Sequence, residues 1–180
     1  MLIRCAELRD LGAVTRIYEH AVQHGTASFE IDAPDQAEMK KRYEALRAGG
    51  YPFIVAEDQA TIIGYAYAGP YRLRPAYRFS IEDSIYVAPQ AQRRGIGRAL
   101  LERLIEETER SEFRQMIAVI GDSANLASTE LHRAGGFRLV GTLENVGFKF
   151  GRWLDSVLMQ RPLGQGASLP PSGGEEWRNP

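Results

Sequence analysis

The chain has 180 residues, of which 44% are hydrophobic and 25% charged, a size and balance typical of one globular domain. Its 22 basic and 23 acidic residues leave a formal net charge of −1, so no overall positive field favours nucleic acid or an anionic membrane. Cys5 is the only cysteine, which excludes an intrachain disulfide, and we expect it to be buried in a reducing environment. Because the sequence shows no signal peptide and no apolar run near the roughly 20 residues of a membrane span, we expect a cytoplasmic protein.

The first half of the chain alternates between helical and strand patterns. Apolar residues recur at helical spacing from Leu11 to Ala21, a glycine pair ends a charged second helix, and a three-residue link predicts a hairpin. In chain order we predict a strand over residues 2–6, a helix from Leu11, a loop over 24–30, a helix over 35–48, strands over 53–57 and 61–68, and a loop rich in Arg, Tyr and Pro over 69–78.

The second half contains the strongest helical pattern. Ile96, Leu100 and Leu104 repeat four residues apart, as expected for a helix with one buried face. A cap region and a closing glycine pair frame a later helix. We predict a strand over 79–87, a helix over 96–110, a strand over 115–120, a helix over 123–134, and final strands over 137–143 and 147–159.

The predicted order, βααβββ followed by αβαββ, favours a mixed α/β fold in a single domain. Strand–helix–strand stretches flank a central antiparallel run. We expect this domain to cover residues 1–162. Residues 163–180 carry Gly, Ser, Pro and Glu with few apolar side chains, so we expect a flexible tail.

A strand ends, a loop turns and a helix begins between residues 85 and 100. The pattern Gln-x-x-Gly-x-Gly lies at this junction, where glycines allow close backbone approach and free N–H groups at the helix start can bind an anion. No Gly-Lys-Ser/Thr follows, which excludes a Walker loop, and the pattern does not match a dinucleotide fingerprint. It therefore predicts a pyrophosphate site formed by Gln92, Arg93, Arg94, Gly95, Ile96, Gly97 and Arg98.

Residues 87–101 resemble the acetyl-CoA signature of the GNAT N-acetyltransferase superfamily, and residues 125–137 resemble its second motif. The likeness extends over about residues 2–162. Within the superfamily the chain is similar to the phosphinothricin and methionine sulfoximine acetyltransferases. This narrower likeness rests on residues 17–22, 26–30, 74–78 and 82–87.

The resemblance implies the GNAT fold, a mixed and mostly antiparallel sheet flanked by helices, with acetyl-CoA as co-substrate. It implies that backbone groups of Ile85 and Val87, with Tyr86 between them, bind the pantetheine arm. Asn125 would also bind the cofactor, although a plain helix N-cap is the alternative for this residue.

Acetyl transfer needs a base for the amine and a group that protonates the departing thiolate. The family places a carboxylate at Glu82, and partial desolvation would raise its pKa toward a useful range. Glu30 and Asp83 are the alternatives, although strand alternation places Asp83 on the opposite face from Glu82. His132 occupies a position near the CoA sulfur in relatives, where an imidazole can donate a proton, with a structural role as the alternative.

The implied acceptor is the amine of a small amino-acid-like molecule of the phosphinothricin, methionine sulfoximine or methionine sulfone type. Its carboxylate suits bidentate arginine, so we expect it to be bound by Arg74 and Arg78, with Arg72 as a reserve. Phe29 and Tyr77 are expected to form pocket walls. The predicted substrate-binding residues are Phe29, Glu30, Arg74, Tyr77 and Arg78.

Two other functions remain open from the sequence: acetylation of a protein, peptide or polyamine, and non-catalytic sensing of acetyl-CoA. His20 and His24 are spaced as a metal pair, but no third ligand is evident and we expect no metal. Relatives are commonly homodimers, so Phe148, Phe150 and Trp153 are expected in the core or at a dimer interface. We expect neither nucleic acid nor membrane as a partner.

Overall fold

The protein is described by a computed structural model over residues 1–171. The order of helices and strands agrees with the predicted βααβββ–αβαββ order. The elements are β1 (Leu2–Cys5), α1 (Leu11–His24), α2 (Gln36–Ala48), β2 (Phe53–Asp58), β3 (Thr61–Pro70), β4 (Ser80–Val87), α3 (Ile96–Glu109), β5 (Gln115–Gly121), α4 (Leu126–Ala134), β6 (Arg138–Lys149) and β7 (Arg152–Pro162).

The strands form one sheet in the order β1-β2-β3-β4-β5-β7-β6. Neighbouring strands are antiparallel except β4 and β5, which are parallel because α3 connects them as a crossover. This is the mixed, mostly antiparallel α/β fold expected of a GNAT domain.

Helices cover both faces of the sheet, and two glycines of β3 identify the layers. A Cβ at Gly64 would meet Leu100 and Ile96 of α3 at 3.1 and 3.2 Å, whereas a Cβ at Gly69 would meet Leu46 of α2 at 3.2 Å. Even-numbered residues of this part of β3 therefore face α3, and odd-numbered residues face α1 and α2. Each face has its own fully buried side chains, such as Leu100 in α3 and Val14 in α1.

Of the predicted boundaries that were wrong, two have a clear local cause. The last hairpin turns at Phe150–Gly151, both with positive φ, rather than over residues 144–146. Those residues instead interrupt the register between β6 and β7. The last helix starts at Leu126, because the preceding residues form a turn in which Asp122 accepts a hydrogen bond from the N–H of Ala124.

Cys5 is exposed rather than buried, because it is the last residue of β1, a strand at the edge of the sheet. Leu163, the first residue of the predicted tail, is fully buried, and its N–H donates to the Arg114 carbonyl at 3.0 Å. Residues 172–180 lie outside the described residues. The domain boundary and the flexible tail therefore stay predictions.

Within residues 1–171, no helix is both long enough and apolar enough to cross a bilayer.

Candidate active site

The central feature of the site is a gap between two parallel strands. β4 and β5 pair only where Ser80–Glu82 meet Gln115–Ile117. Beyond this point β4 stays paired with β3, and β5 stays paired with β7. The two strands diverge, and a cavity of about 560 Å³ lies between Asp83–Val87 and Ala118–Gly121.

The N-terminus of α3 faces this cavity. Arg93 and Gly95 both adopt positive φ, at 59° and 78°, which turns the chain sharply into the helix. The first N–H groups of a helix have no acceptor within it, and with the helix dipole they favour an anion. Gly97 and Arg98 lie in this first turn and line the same cavity.

The three predicted arginines are not equivalent. Arg94 does not line the cavity but forms an ion pair with Asp58 at 3.1 Å. Arg98 lines the cavity and forms an ion pair with Glu102 at 2.7 Å. Arg93 lines the cavity and forms no ion pair with any residue of the described chain.

Most of the predicted cofactor residues meet at this one cavity. Asn125 lines it and also caps α4, with its side-chain oxygen accepting from the N–H of Ser128 at 3.2 Å. The two roles proposed for Asn125 are therefore geometrically compatible. The predicted residues at the cavity are Ile85, Tyr86, Val87, Gln92, Arg93, Gly95, Ile96, Gly97, Arg98, Asn125 and His132.

His132 is 4% exposed and has both ring nitrogens occupied. Nδ1 lies 2.7 Å from the Ser128 carbonyl oxygen, and Nε2 lies 2.9 Å from Oδ2 of Asp83. Burial lowers the pKa of His132, but the hydrogen bond and negative charge of Asp83 outweigh it and raise the pKa overall. His132 thus has a fixed orientation at the cavity.

Glu82 lies at the point where the strands part. It is the last residue of β4 that pairs with β5, and it pairs on its other side with Gly69. Its side chain therefore projects to the α1/α2 face, opposite Asp83. Burial, with a smaller contribution from the Asp83 charge, raises the pKa of Glu82 to about 7, although Arg72 opposes the shift. A carboxyl group with this pKa can accept a proton near neutral pH.

The segment between α1 and α2 is held close to the ends of β5 and β6. Lys149 is buried and donates to the carbonyl oxygens of Gly25 and Ser28 at 3.0 and 2.8 Å. A Cβ on Gly147 would lie 2.5 Å from the Phe29 ring, and one on Gly121 would lie 2.8 Å from it. The ring thus occupies space that only glycines leave open, while Phe29 remains 39% exposed.

Glu30 belongs to a hydrogen-bonded network rather than standing free for a ligand. Its carboxylate accepts from Arg42 at 2.6 Å and from the Tyr18 hydroxyl at 2.9 Å. The Tyr18 hydroxyl also lies 2.9 Å from the Ser28 hydroxyl. Glu30 therefore ties the α1–α2 segment to α2.

The loop between β3 and β4 is exposed. Tyr77 is 41% exposed and packs edge-on against Tyr71, and the guanidinium of Arg78 lies 4.3 Å from the Phe79 ring centroid. Arg74 is exposed at the start of a short turn. Arg72, in the same loop, carries a charge that opposes the rise in the pKa of Glu82.

Sequence reasoning missed Lys149, Arg42 and the pairing of Asp83 with His132. Lys149 stands between two phenylalanines in a predicted strand, where a lysine is a weak signal of a buried role. Arg42 lies in a helix rich in charged residues, so no sequence pattern separates it from its neighbours. His20 and His24 stack at 4.5 Å, and no cluster of three or more metal-ligating side chains occurs within residues 1–171.

The family model for the acetyltransferase (GNAT) domain matches residues 3–158. The chain therefore belongs to the GNAT acetyltransferases, which are acetyl-CoA-dependent N-acetyltransferases.

Particular relatives are more similar still. The chain is 52% identical over 169 residues to the phosphinothricin N-acetyltransferase of Alcaligenes faecalis, covering 94% of this chain and 86% of that protein. It is 41% identical over 168 residues to the L-methionine sulfoximine/L-methionine sulfone acetyltransferase of Salmonella typhimurium, covering 93% and 98%. A crystal structure of a GNAT phosphinothricin acetyltransferase from Sinorhizobium meliloti with acetyl-CoA superimposes with a TM-score of 0.93 at 48% identity, covering 96% and 94%.

We expect Gly147→Ala to displace Phe29, because the added methyl group would lie within 2.5–3.0 Å of its ring. The variant should lower the melting temperature by a few degrees, since overpacking typically costs about 1–3 kcal/mol. It should also reduce acceptor kcat/KM about 10-fold or more. Thermal unfolding and acetyl-transfer kinetics measure the two effects.

Gly141→Ala is the matched control, since it lies in the same strand and a Cβ there meets nothing within 4 Å. Equal melting temperatures and kinetics for the two variants would show that the position of Phe29 does not depend on Gly147.

Proposed function

We propose that the protein transfers an acetyl group from acetyl-CoA to the amine of a small amino-acid-like acceptor of the phosphinothricin, methionine sulfoximine or methionine sulfone type. The main observation in support of this proposal is that Glu82, with a pKa raised to about 7, lies where β4 and β5 part. The cofactor cavity lies beyond this point and the acceptor side lies on the α1/α2 face. The names of the two curated relatives support the acceptor class.

Acetyl-CoA fits the cavity chemically. A thin, amide-bearing arm suits the gap between the diverging strands, where β4 backbone groups have no β5 partner within the described chain. A pyrophosphate suits the α3 N-terminus and the guanidinium of Arg93, which has no ion-pair partner in the described part of the chain. We propose that Ile85, Tyr86 and Val87 hold the arm. The remaining proposed cofactor residues are Gln92, Arg93, Arg94, Gly95, Ile96, Gly97, Arg98 and Asn125, with Arg94 acting from outside the cavity.

In the proposed mechanism, Glu82 accepts the proton of the acceptor's ammonium group, directly or through a water. Acetyl-CoA, when bound, supplies an activated thioester carbonyl and a thiolate leaving group. The half-buried position of Glu82 raises its pKa to about 7, so the carboxylate is a stronger base than an exposed glutamate. His132, the predicted proton donor for the departing thiolate, lies on the opposite face, at the cofactor cavity.

We propose that the acceptor carboxylate is bound by arginines of the β3–β4 loop, with Arg74 and Arg78 as the predicted ligands. Arg72, whose charge opposes the rise in the pKa of Glu82, is the reserve. Phe29 and Tyr77 are proposed as apolar walls, and Glu30 is proposed to shape the pocket through Arg42.

Arg74→Ala should raise KM for an amino acid but not for the same molecule without its carboxylate, because only the amino acid loses an ion pair. An equal rise for both molecules would contradict carboxylate binding.

The test of the proposed function is release of CoA thiol with a panel of amines. The panel contains phosphinothricin, methionine sulfoximine, methionine sulfone, common amino acids, polyamines and a short peptide. We expect turnover confined to the amino-acid-like compounds. Turnover only on the peptide or polyamines would overturn the acceptor class, and acetyl-CoA binding without turnover on any amine would favour a sensor.

We expect Glu82→Gln to lower kcat by roughly 10²–10⁴-fold, the usual contribution of a general base, while acetyl-CoA affinity stays unchanged. The base works in its deprotonated form, so wild-type activity should rise as the pH passes upward through about 7. This rise should be absent in the variant. Initial rates between pH 5.5 and 8.5 and calorimetric acetyl-CoA binding measure these effects.

Glu44→Gln on the exposed side of α2 is the control and should retain the wild-type profile. A wild-type profile in Glu82→Gln would exclude Glu82 as the base and direct attention to Glu30.

We also propose that the protein is a homodimer in the cytoplasm. β6 is an outer strand of the sheet, and Phe148, Phe150 and Trp153 on its hairpin are 57–60% exposed, which excludes a core position for them. Exposed apolar side chains on an unpaired edge favour a second copy as the covering partner.

The cytoplasmic assignment rests on the single unpaired cysteine, and recovery in a periplasmic fraction would contradict it.

Phe148→Asp should convert the dimer to a monomer, because a charge would be buried without a partner in the interface. Light scattering coupled to size exclusion measures the mass. Leu8→Asp, an equally exposed apolar position beside the opposite edge of the sheet, should leave the dimer intact. A wild-type monomer at micromolar concentration would refute the proposal.

A further inference from the structure

The hydrogen bonds of His132 fix the number of its protons. The two near partners, the Ser128 carbonyl oxygen at 2.7 Å and the Asp83 carboxylate at 2.9 Å, are acceptors, and the Ser128 hydroxyl lies farther from Nδ1, at 3.4 Å. The short Nδ1 contact therefore needs a proton on Nδ1, and the Nε2 contact needs a second proton between Nε2 and Oδ2 of Asp83. Imidazole is more basic than a carboxylate, so this second proton belongs to the ring. His132 is accordingly an imidazolium paired with ionised Asp83.

Because both side chains are buried, the charge of each residue needs the opposite charge of the other. The Asp83 side chain is 1% exposed and that of His132 is 6% exposed. Oδ1 of Asp83 is buried and has no hydrogen-bond partner within the described chain. A carboxylate in such a place is costly unless an adjacent cation compensates it. His132 would not keep its charge beside a neutral Asp83, because burial alone lowers the pKa of His132.

Among residues 1–171, no second charged group substitutes for Asp83 beside His132. On the helix of His132 itself, Glu130 and Arg133 are paired with each other and exposed. On the other side His132 meets the Phe137 ring, edge-on at a centroid distance of 5.1 Å. Asp83 is the charged residue that acts on the pKa of His132. Glu82, next along the strand, projects to the opposite face.

We propose that Asp83 is a positioning residue: it holds His132 as an imidazolium in one orientation on the cofactor side of the sheet. The Asp83–His132 pair thereby keeps one proton, between Nε2 and Oδ2, at the cavity wall. Nε2–H is not free to point elsewhere while Asp83 is ionised. This inference rests on the proposed function, because a proton held beside the cofactor has a catalytic use only if the protein transfers an acetyl group.

The first test is the titration of His132 in the ligand-free protein. The chain has three histidines, so NMR of protein labelled at histidine Cε1, with His20→Gln and His24→Gln for assignment, resolves each ring. We expect His132 to remain an imidazolium above the pH at which an unperturbed imidazole loses its proton. A His132 signal that titrates as an unperturbed imidazole, or stays neutral, would overturn the proposal.

The second test is Asp83→Asn, which keeps the shape of the side chain but removes its charge. We expect a neutral His132 at pH 7, because burial then acts without its counter-charge. We also expect kcat to fall about 10-fold or more. The pH profile of kcat should differ from that of the wild type, whereas KM for acetyl-CoA should stay unchanged. An unaltered His132 titration in this variant would exclude Asp83 as the controlling residue.

Asp10→Asn is the matched control, since Asp10 is also buried and ion-paired, to Arg4 at 2.7 Å, but does not line the cofactor cavity. It should lower the melting temperature and leave the His132 titration and the kcat profile unchanged. If Asp83→Asn does not fold, the wild-type titration alone decides the protonation. An imidazolium that depends on Asp83 in a protein with no turnover on any amine would contradict the proposed function and leave the pairing intact.

Discussion

The functional architecture depends on the end of the β4–β5 ladder. Parallel strands lose backbone hydrogen bonds when they part, and a buried backbone group without a partner is costly. Here the ladder ends after Glu82 and Ile117, while each strand keeps its partner on the other side. The β3–β4 and β5–β7 pairs therefore keep their own backbone ladders past the point where β4 and β5 part. The gap between them leaves backbone groups for a ligand without dismantling the core.

The two-residue period of β4 separates the chemistry into two compartments. Glu82 and Asp83 are neighbours in the chain but project to opposite faces, so the base candidate and the His132 partner cannot compete for one proton. Their charges still interact, because Asp83 contributes to the raised pKa of Glu82. One short segment of β4 thus places Glu82, whose pKa is raised to about 7, on one face and Asp83, which is paired with His132, on the other.

Local signals in the sequence predicted much of this arrangement. The glycine-rich turn, the i+4 repeat of α3 and the cap at Asn125 each depend on residues close in the chain, so the α3 site and the order of elements were predictable. The contact between Asp83 and His132 joins residues 49 apart, and Lys149 reaches a carbonyl 124 residues away. Such contacts depend on tertiary packing, which no local pattern encodes. The turn at Phe150 was missed for a related reason, since two non-glycine residues of β6 and its turn, Asn145 and Phe150, adopt positive φ.

The proposed acceptor side is stabilised by contacts between elements that are distant in the chain. Lys149 of β6 holds the α1–α2 segment by two carbonyl oxygens, and Glu30 of that segment holds Arg42 of α2. Burial lowers the pKa of Lys149, so its ammonium group depends on these two acceptors and on the charge of Glu30. The hairpin that carries Lys149 also carries the exposed aromatic residues of the proposed dimer interface. Because Phe29 rests on Gly147 of the same hairpin, a partner bound to β6 would also act on the proposed wall of the proposed acceptor pocket.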